Sequence, residues 1–141
     1  YARAWEIGLQ HPILGLGYDG FGLGCAKPRY FRPTFDGTIA DGGGAEPCWV
    51  HPHNFWFEAF ADGGFVGLAL FAAVSVALIV ALARGLWRNP DPLRVALFAS
   101  VAVQLIPLQS TPSFWSMPMG GWLWLLAGWG LAETMAKAKP A

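Results

Sequence analysis

The chain has 141 residues, no net charge, 55% hydrophobic and 13% charged residues, against about 25% charged in soluble domains. That deficit excludes an ordinary soluble domain and points to a membrane protein, and no basic run suggests a nucleic-acid partner. The neutral total hides an asymmetry: residues 1–63 carry four Lys/Arg and seven Asp/Glu, residues 64–141 five and two.

Tyr1 stands where an initiator Met would, and no three-part signal peptide follows, so the chain reads as the C-terminal part of a larger protein. Tyr1 to Gln10 is expected to form a short helix that stops before Pro12. Trp5 and Leu9 share one face, Arg3 and Ile7 another. By itself Arg3 reads as a solvated charge at a membrane edge. The glycines of Pro12–Gly17 and of Tyr18-Asp19-Gly20-Phe21-Gly22 predict tight turns; a phosphate cradle is the weaker reading, since no strand or P-loop lysine accompanies them. Residues 22–50 are rich in Gly and Pro and have no period, which predicts a loop of some size. Within it Lys27, Arg29 and Arg32 form a basic cluster, either a solvated surface or a meeting place for headgroups or a diphosphate. Cys25 and Cys48 fit a disulfide if this half is extracytoplasmic, or two buried thiols.

Pro52 suits the first turn of a second helix. Asn54, Glu58 and Asp62 then step four residues at a time along one face, with Phe55, Trp56, Ala59 and Phe60 on the other. Phe65 to Ala83 is nineteen residues without a charge, long enough for a membrane span. Gly63-Gly64 is expected to loosen the helix before the span begins. Arg84, Arg88 and Arg94 flank a short loop that the positive-inside rule makes cytoplasmic, which places His53 on the opposite side. A second span is predicted over about residues 93–108, with Pro107 kinking its outer end. A third is predicted over about 119–134, with Gly120, Gly121, Gly128 and Gly130 available for close packing. The expected fold is therefore an all-α integral membrane protein. It has an extracytoplasmic region over 1–63 with short helices, and a membrane region over 64–141 with spans at about 64–83, 93–108 and 119–134.

His53-Asn54, nine residues, then Gly64-Phe65-Val66-Gly67 resembles the signature of the O-antigen ligase and polymerase family, integral membrane enzymes that transfer glycans from a polyprenyl-diphosphate carrier. The Trp5, Pro12, Gly15, Gly17 and Phe21 pattern is similar to the family's approach to its large extracytoplasmic loop. The resemblance covers roughly residues 1–85. It implies an essential histidine, here His53, and an arginine at the start of the preceding loop, a place that Arg3 fits. A further family arginine would fall upstream of this chain, so the chain alone is expected to be inactive.

The residue types suit that chemistry. The acceptor hydroxyl must lose its proton as it attacks, and histidine titrates near neutrality. The leaving diphosphate needs a donor that stays charged, and the guanidinium fork binds phosphate oxygens bidentately. Asn54, Glu58, Arg29 and Arg32 complete the candidate substrate-binding set; Asn54 is also expected to bond near the helix start, and a solvated helix face is the favoured reading of Glu58 over orienting His53 or the acceptor. Gly64 and Gly67 are assigned to helix packing. His51-x-His53 with Glu58 makes only a loose metal set, so no metal or other cofactor is expected.

The resemblance implies a bacterial inner-membrane glycosyltransferase whose active face is periplasmic. Its donor would be an undecaprenyl-diphosphate-linked glycan. Its acceptor would be lipid A-core, as in a ligase, another repeat unit, as in a polymerase, or a protein hydroxyl. The rival from another class is a non-enzymatic export or transport subunit. That reading predicts polar residues spread inside the spans, whereas here the charges crowd the outer loop.

Overall fold

Helix α1 (Ala2–Gln10) follows the expected boundary. It buries Arg3, Ala4, Ile7 and Gly8 on one stripe and leaves Trp5 and Leu9 outward. It stops at His11 because the residue ahead of Pro12 is pushed out of the helical region. In the computed structural model, which describes residues 1–31, 50–88, 90–117 and 119–135, the remaining elements are also helical. They are α2 (Gly20–Gly24), a 3-10 turn (Pro28–Tyr30), α3 (Phe55–Arg88), α4 (Pro92–Leu105) and α5 (Met119–Met135). No strand occurs among the described residues.

The chain divides into two compact units, Tyr1–Phe71 with Ser110–Phe114 and Ala72–Gln109 with Trp115–Ala141. In the first, Ala4, Ile7, Phe21, Cys25, Tyr30 and Ala61 form the core, with Leu16 and Phe57 against it. Gly8 lets α1 lie on the Phe60 ring, since a Cβ there would be 2.3 Å from Phe60 Cδ1. Cys25 is fully buried and disulfide-bonded, so the free-thiol alternative does not hold for it; Cys48 lies outside the described residues.

Helix α3 begins later than expected, at Phe55, with Pro52 ahead of it. It breaks at Gly64, whose φ of 60° and ψ of −154° lie in a region open only to glycine. In an unbroken helix the amides of Phe65 and Val66 would donate to the carbonyls of Ala61 and Asp62. Here Phe65 donates to Pro12 O (2.7 Å) and Val66 to Ile13 O (3.3 Å), while Leu16 and Gly17 donate to Ala61 O (3.0 Å) and Asp62 O (2.8 Å). The Pro12–Gly17 turn is thus spliced into the break, and it partners the amides of Phe65 and Val66 and the carbonyls of Ala61 and Asp62. An orphaned buried group would cost about 1–3 kcal/mol. The splice demands close backbone approach. A Cβ on Gly15 would lie 2.3 Å from Asp62 C, and one on Gly64 2.6 Å from Pro12 O.

Helix α3 is long and apolar enough to cross a membrane. Its part beyond the break, residues 65–88, rises about 36 Å at 1.5 Å per residue, and its outward side chains include Leu70 and Val76. In the second unit, α4 is apolar but has only 14 residues, or about 21 Å. It ends at Leu105 rather than near residue 108, because Ile106 precedes Pro107 and takes an extended conformation. Asp91 caps α4 through the amides of Leu93 and Arg94. Arg94 then donates to Gly85 O (3.4 Å) and Glu133 O (2.6 Å), a cation set at the carbonyl ends of α3 and α5. Gly85 packs on Thr134 and Gly130 on Leu82, so of the α5 glycines expected to pack, Gly130 does and Gly128 meets nothing within 4 Å.

Candidate functional site

Asn54 opens α3. Its side-chain Oδ1 accepts from the amides of Trp56 (2.9 Å) and Phe57 (3.1 Å), which are among the donors a helix start leaves without partners. The preceding residue must turn the chain into this cap, and His53 does so with a φ of 53°, uncommon for a residue with a Cβ. The carbonyl of His53 accepts from the amide of Thr111 at 2.8 Å, which fixes that turn from a distant part of the chain. The His51 ring lies against that of His53, centroids 4.3 Å apart. Burial holds the His51 imidazole below its ordinary pKa, and the neighbouring His53 adds to the effect. On the residues flanking His53, the His51 Nε2 and Thr111 Oγ1 atoms are buried and have no hydrogen-bond partner among the described residues.

One turn further along, Glu58 is 4% exposed. Ser113 Oγ donates to its Oε1, and the Phe114 amide donates to its Oε2 at 2.6 Å. Phe114 packs on Phe55 and Phe71, so the 110–114 segment is held to α3 by both polar and apolar contacts. Burial pushes the Glu58 carboxyl above its ordinary pKa; the Ser113 and Phe114 hydrogen bonds pull it down, and Asp62 and Asp19 push it up. Asp62, 6% exposed, accepts from the Phe21 amide at 3.0 Å. The face shared by Asn54, Glu58 and Asp62 is therefore buried and bonded to backbone amides, not the solvated helix face that its charges suggest. Gly67 meets the Ala59 carbonyl, 2.9 Å from where its Cβ would be, in keeping with a packing role.

Arg3 departs from its expected solvated reading as well. It is 9% exposed, donates from Nη1 to Cys25 O at 3.3 Å, and stands 4.3 Å from the centre of the Phe31 ring, a cation–π arrangement. Core packing buries its stem, which places Arg3 and His53 in the same compact unit but against different partners. Arg29 is exposed, over the Tyr30 ring at 4.7 Å, and the Tyr30 hydroxyl bonds to His11 Nε2 at 3.0 Å. Arg32 lies outside the described residues. Thr111 and Ser113 were not singled out by sequence reasoning; no motif marks them, and only the return of the chain after α4 brings them to α3. No group of three His, Cys, Asp or Glu residues among the described ones could hold a metal ion.

A family model described as O-antigen ligase matches residues 1–72 of the chain, a stretch that ends one residue beyond the Tyr1–Phe71 part of the first compact unit. No curated protein and no solved structure matches the chain.

Proposed function

The chain belongs to the O-antigen ligase family, and from that premise we propose that it takes part in transferring a glycan from an undecaprenyl-diphosphate carrier to an acceptor hydroxyl, such as one on lipid A-core. The acceptor oxygen attacks the anomeric carbon of the donor. The bond from that carbon to the diphosphate oxygen breaks, His53 takes the hydroxyl proton, and undecaprenyl diphosphate leaves with its charge compensated by Arg3. Positioned proton transfer of this kind contributes about 10²–10⁴-fold.

The observation that carries the reading is the way His53 is held. Its backbone is locked in a left-handed turn by the Asn54 cap and by Thr111, as a base that must meet its substrate in one geometry requires. Asn54 and Glu58 act as positioning residues, since their oxygens are engaged with the cap and with the 110–114 segment. Arg29 and Arg32 remain the candidate contacts to the donor, and Arg29 is exposed for it. The transfer uses no metal.

The location belongs to the same proposal. Residues 1–63 lie on the periplasmic side of the inner membrane. The three apolar stretches, about 64–83, 93–108 and 119–134, lie within the bilayer. The exposed Arg84 and Arg88 lie on the cytoplasmic side, as the positive-inside rule requires.

The test uses the full-length protein, a lipid-linked donor and three separate acceptors: lipid A-core, a second repeat unit and a protein. His53→Ala should lower transfer to the true acceptor by about 10²–10⁴-fold in a protein that still inserts. Near-normal transfer by a well-expressed His53→Ala protein removes the proposed base, and the acceptor that is used separates ligase from polymerase or protein glycosylation.

A further inference from the structure

The Pro12–Gly17 turn presents apolar side chains outward from the place where it is spliced into α3. Ile13 and Leu14 are each 69% exposed, the next exposed large hydrophobic residue along is Tyr18, and residues 12–17 contain no polar side chain. The turn is also tied to the start of the apolar run, because Ile13 O accepts from Val66 and Pro12 O from Phe65. Phe65, Val66 and Leu70 are exposed there too, so Ile13 and Leu14 continue an apolar surface that begins on α3.

We infer that the Pro12–Gly17 turn is a lipid-inserting element, its Ile13–Leu14 tip dipping into the acyl boundary of the bilayer at the mouth of the span and Tyr18 lying at headgroup level. The inference rests on the membrane reading of α3 and goes beyond it. Irregular backbone can enter an apolar medium only where its polar groups are satisfied internally. Several groups of this turn are satisfied in that way: Gly15 donates to His11 O at 2.9 Å, Leu16 and Gly17 donate to Ala61 and Asp62, and the Pro12 and Ile13 carbonyls are taken by Phe65 and Val66. Two exposed aliphatic side chains then favour lipid over water by the apolar area they bury, and a tyrosine beside them suits the aromatic belt. A protein partner would gain from the same apolar surface, but no charged or polar side chain at the tip offers such a partner specificity, and the tip continues the exposed apolar surface of Phe65, Val66 and Leu70. The function that follows is a depth gauge. The turn that sets the bend at Gly64 also sets how far the start of α3, and with it His53, stands from the lipid in which the donor's carrier is dissolved.

The test is nitroxide accessibility in the full-length protein reconstituted in phosphatidylethanolamine–phosphatidylglycerol bilayers. Labels are placed in separate variants at Leu14→Cys, Leu70→Cys and Lys27→Cys, and collisions with oxygen are compared with collisions with a water-soluble nickel chelate. The oxygen-to-nickel ratio at Leu14 should match that at Leu70 and exceed that at Lys27 several-fold. Ile13→Cys repeats the measurement should Leu14→Cys not fold. A ratio at Leu14 equal to that at Lys27 overturns the inference while leaving α3 a span. A label at Leu14 immobilised and shielded from both reagents overturns it in favour of a protein partner, and a water-like ratio at Leu70 overturns it together with the membrane reading.

Discussion

The carbonyl of Ala61, which an unbroken helix would offer to the amide of Phe65, accepts instead from the amide of Leu16 at 3.0 Å. This exchange joins the N-terminal turn, and through it the helix that carries Arg3, to the helix that His53 and Asn54 begin. It depends on Gly64 and Gly15, where a Cβ would strike the opposite backbone.

Gly64→Ala should therefore destabilise the protein. A side chain in this backbone region costs on the order of 1–3 kcal/mol, and the clash with the Pro12 carbonyl adds to it. Gly63→Ala is the control, because its Cβ would meet nothing within 4 Å. Thermal unfolding in detergent should show a lowered midpoint for Gly64→Ala and for Gly15→Ala, and little change for Gly63→Ala. Equal midpoints for all of them would mean that the splice adds nothing to stability.

Arg3→Lys should impair transfer while keeping the charge, because an ammonium cannot reproduce the planar fork that lies against Phe31 and Cys25. His51→Ala should lower transfer less than His53→Ala does. Transfer assays at saturating donor, with expression measured alongside, check both. A His51→Ala loss as deep as that of His53→Ala would move the base to the other ring.

Glu58 makes stability depend on pH with a defined sign. Its folded pKa is raised above the ordinary value of 4.5 by burial, so between the ordinary and the raised value the folded protein holds more protons than the unfolded chain. Stability from this group is then greatest at low pH, falls as pH rises through that window, and levels off above the raised value. Glu58→Gln keeps an acceptor for the Phe114 amide and should remove this part of the slope. Unfolding midpoints measured across the acid-to-neutral range for both proteins decide it; parallel profiles would show that the carboxyl is not proton-linked to folding.

Lys27, ahead of the long helix, and Trp87, near its C-terminal end, should label from opposite sides of the membrane. Lys27 and Trp87 are both exposed. With full-length protein in intact cells whose outer membrane is permeabilised, Lys27→Cys should react with an impermeant maleimide and Trp87→Cys should react only after the inner membrane is opened. The reverse pattern would invert the proposed topology.

By itself the sequence determined the helical class, the apolar run beginning at Phe65, the stop before Pro12, the loosening at Gly63-Gly64 and the family motif. Each of these is local: a period, a charge-free length, or a residue whose backbone freedom is intrinsic. It also showed that Asn54, Glu58 and Asp62 share a face, because helical spacing alone requires it. Only the tertiary structure decided what covers that face. Ser113 and Phe114 reach Glu58, Phe21 reaches Asp62 and Thr111 reaches His53, so charges that read as solvated are buried against backbone amides. The same holds for Arg3, whose stem the core encloses, and for the turn that fills the break at Gly64. These contacts join segments tens of residues apart, and their register is set by packing and backbone hydrogen bonding across the fold, which no pattern along the chain encodes.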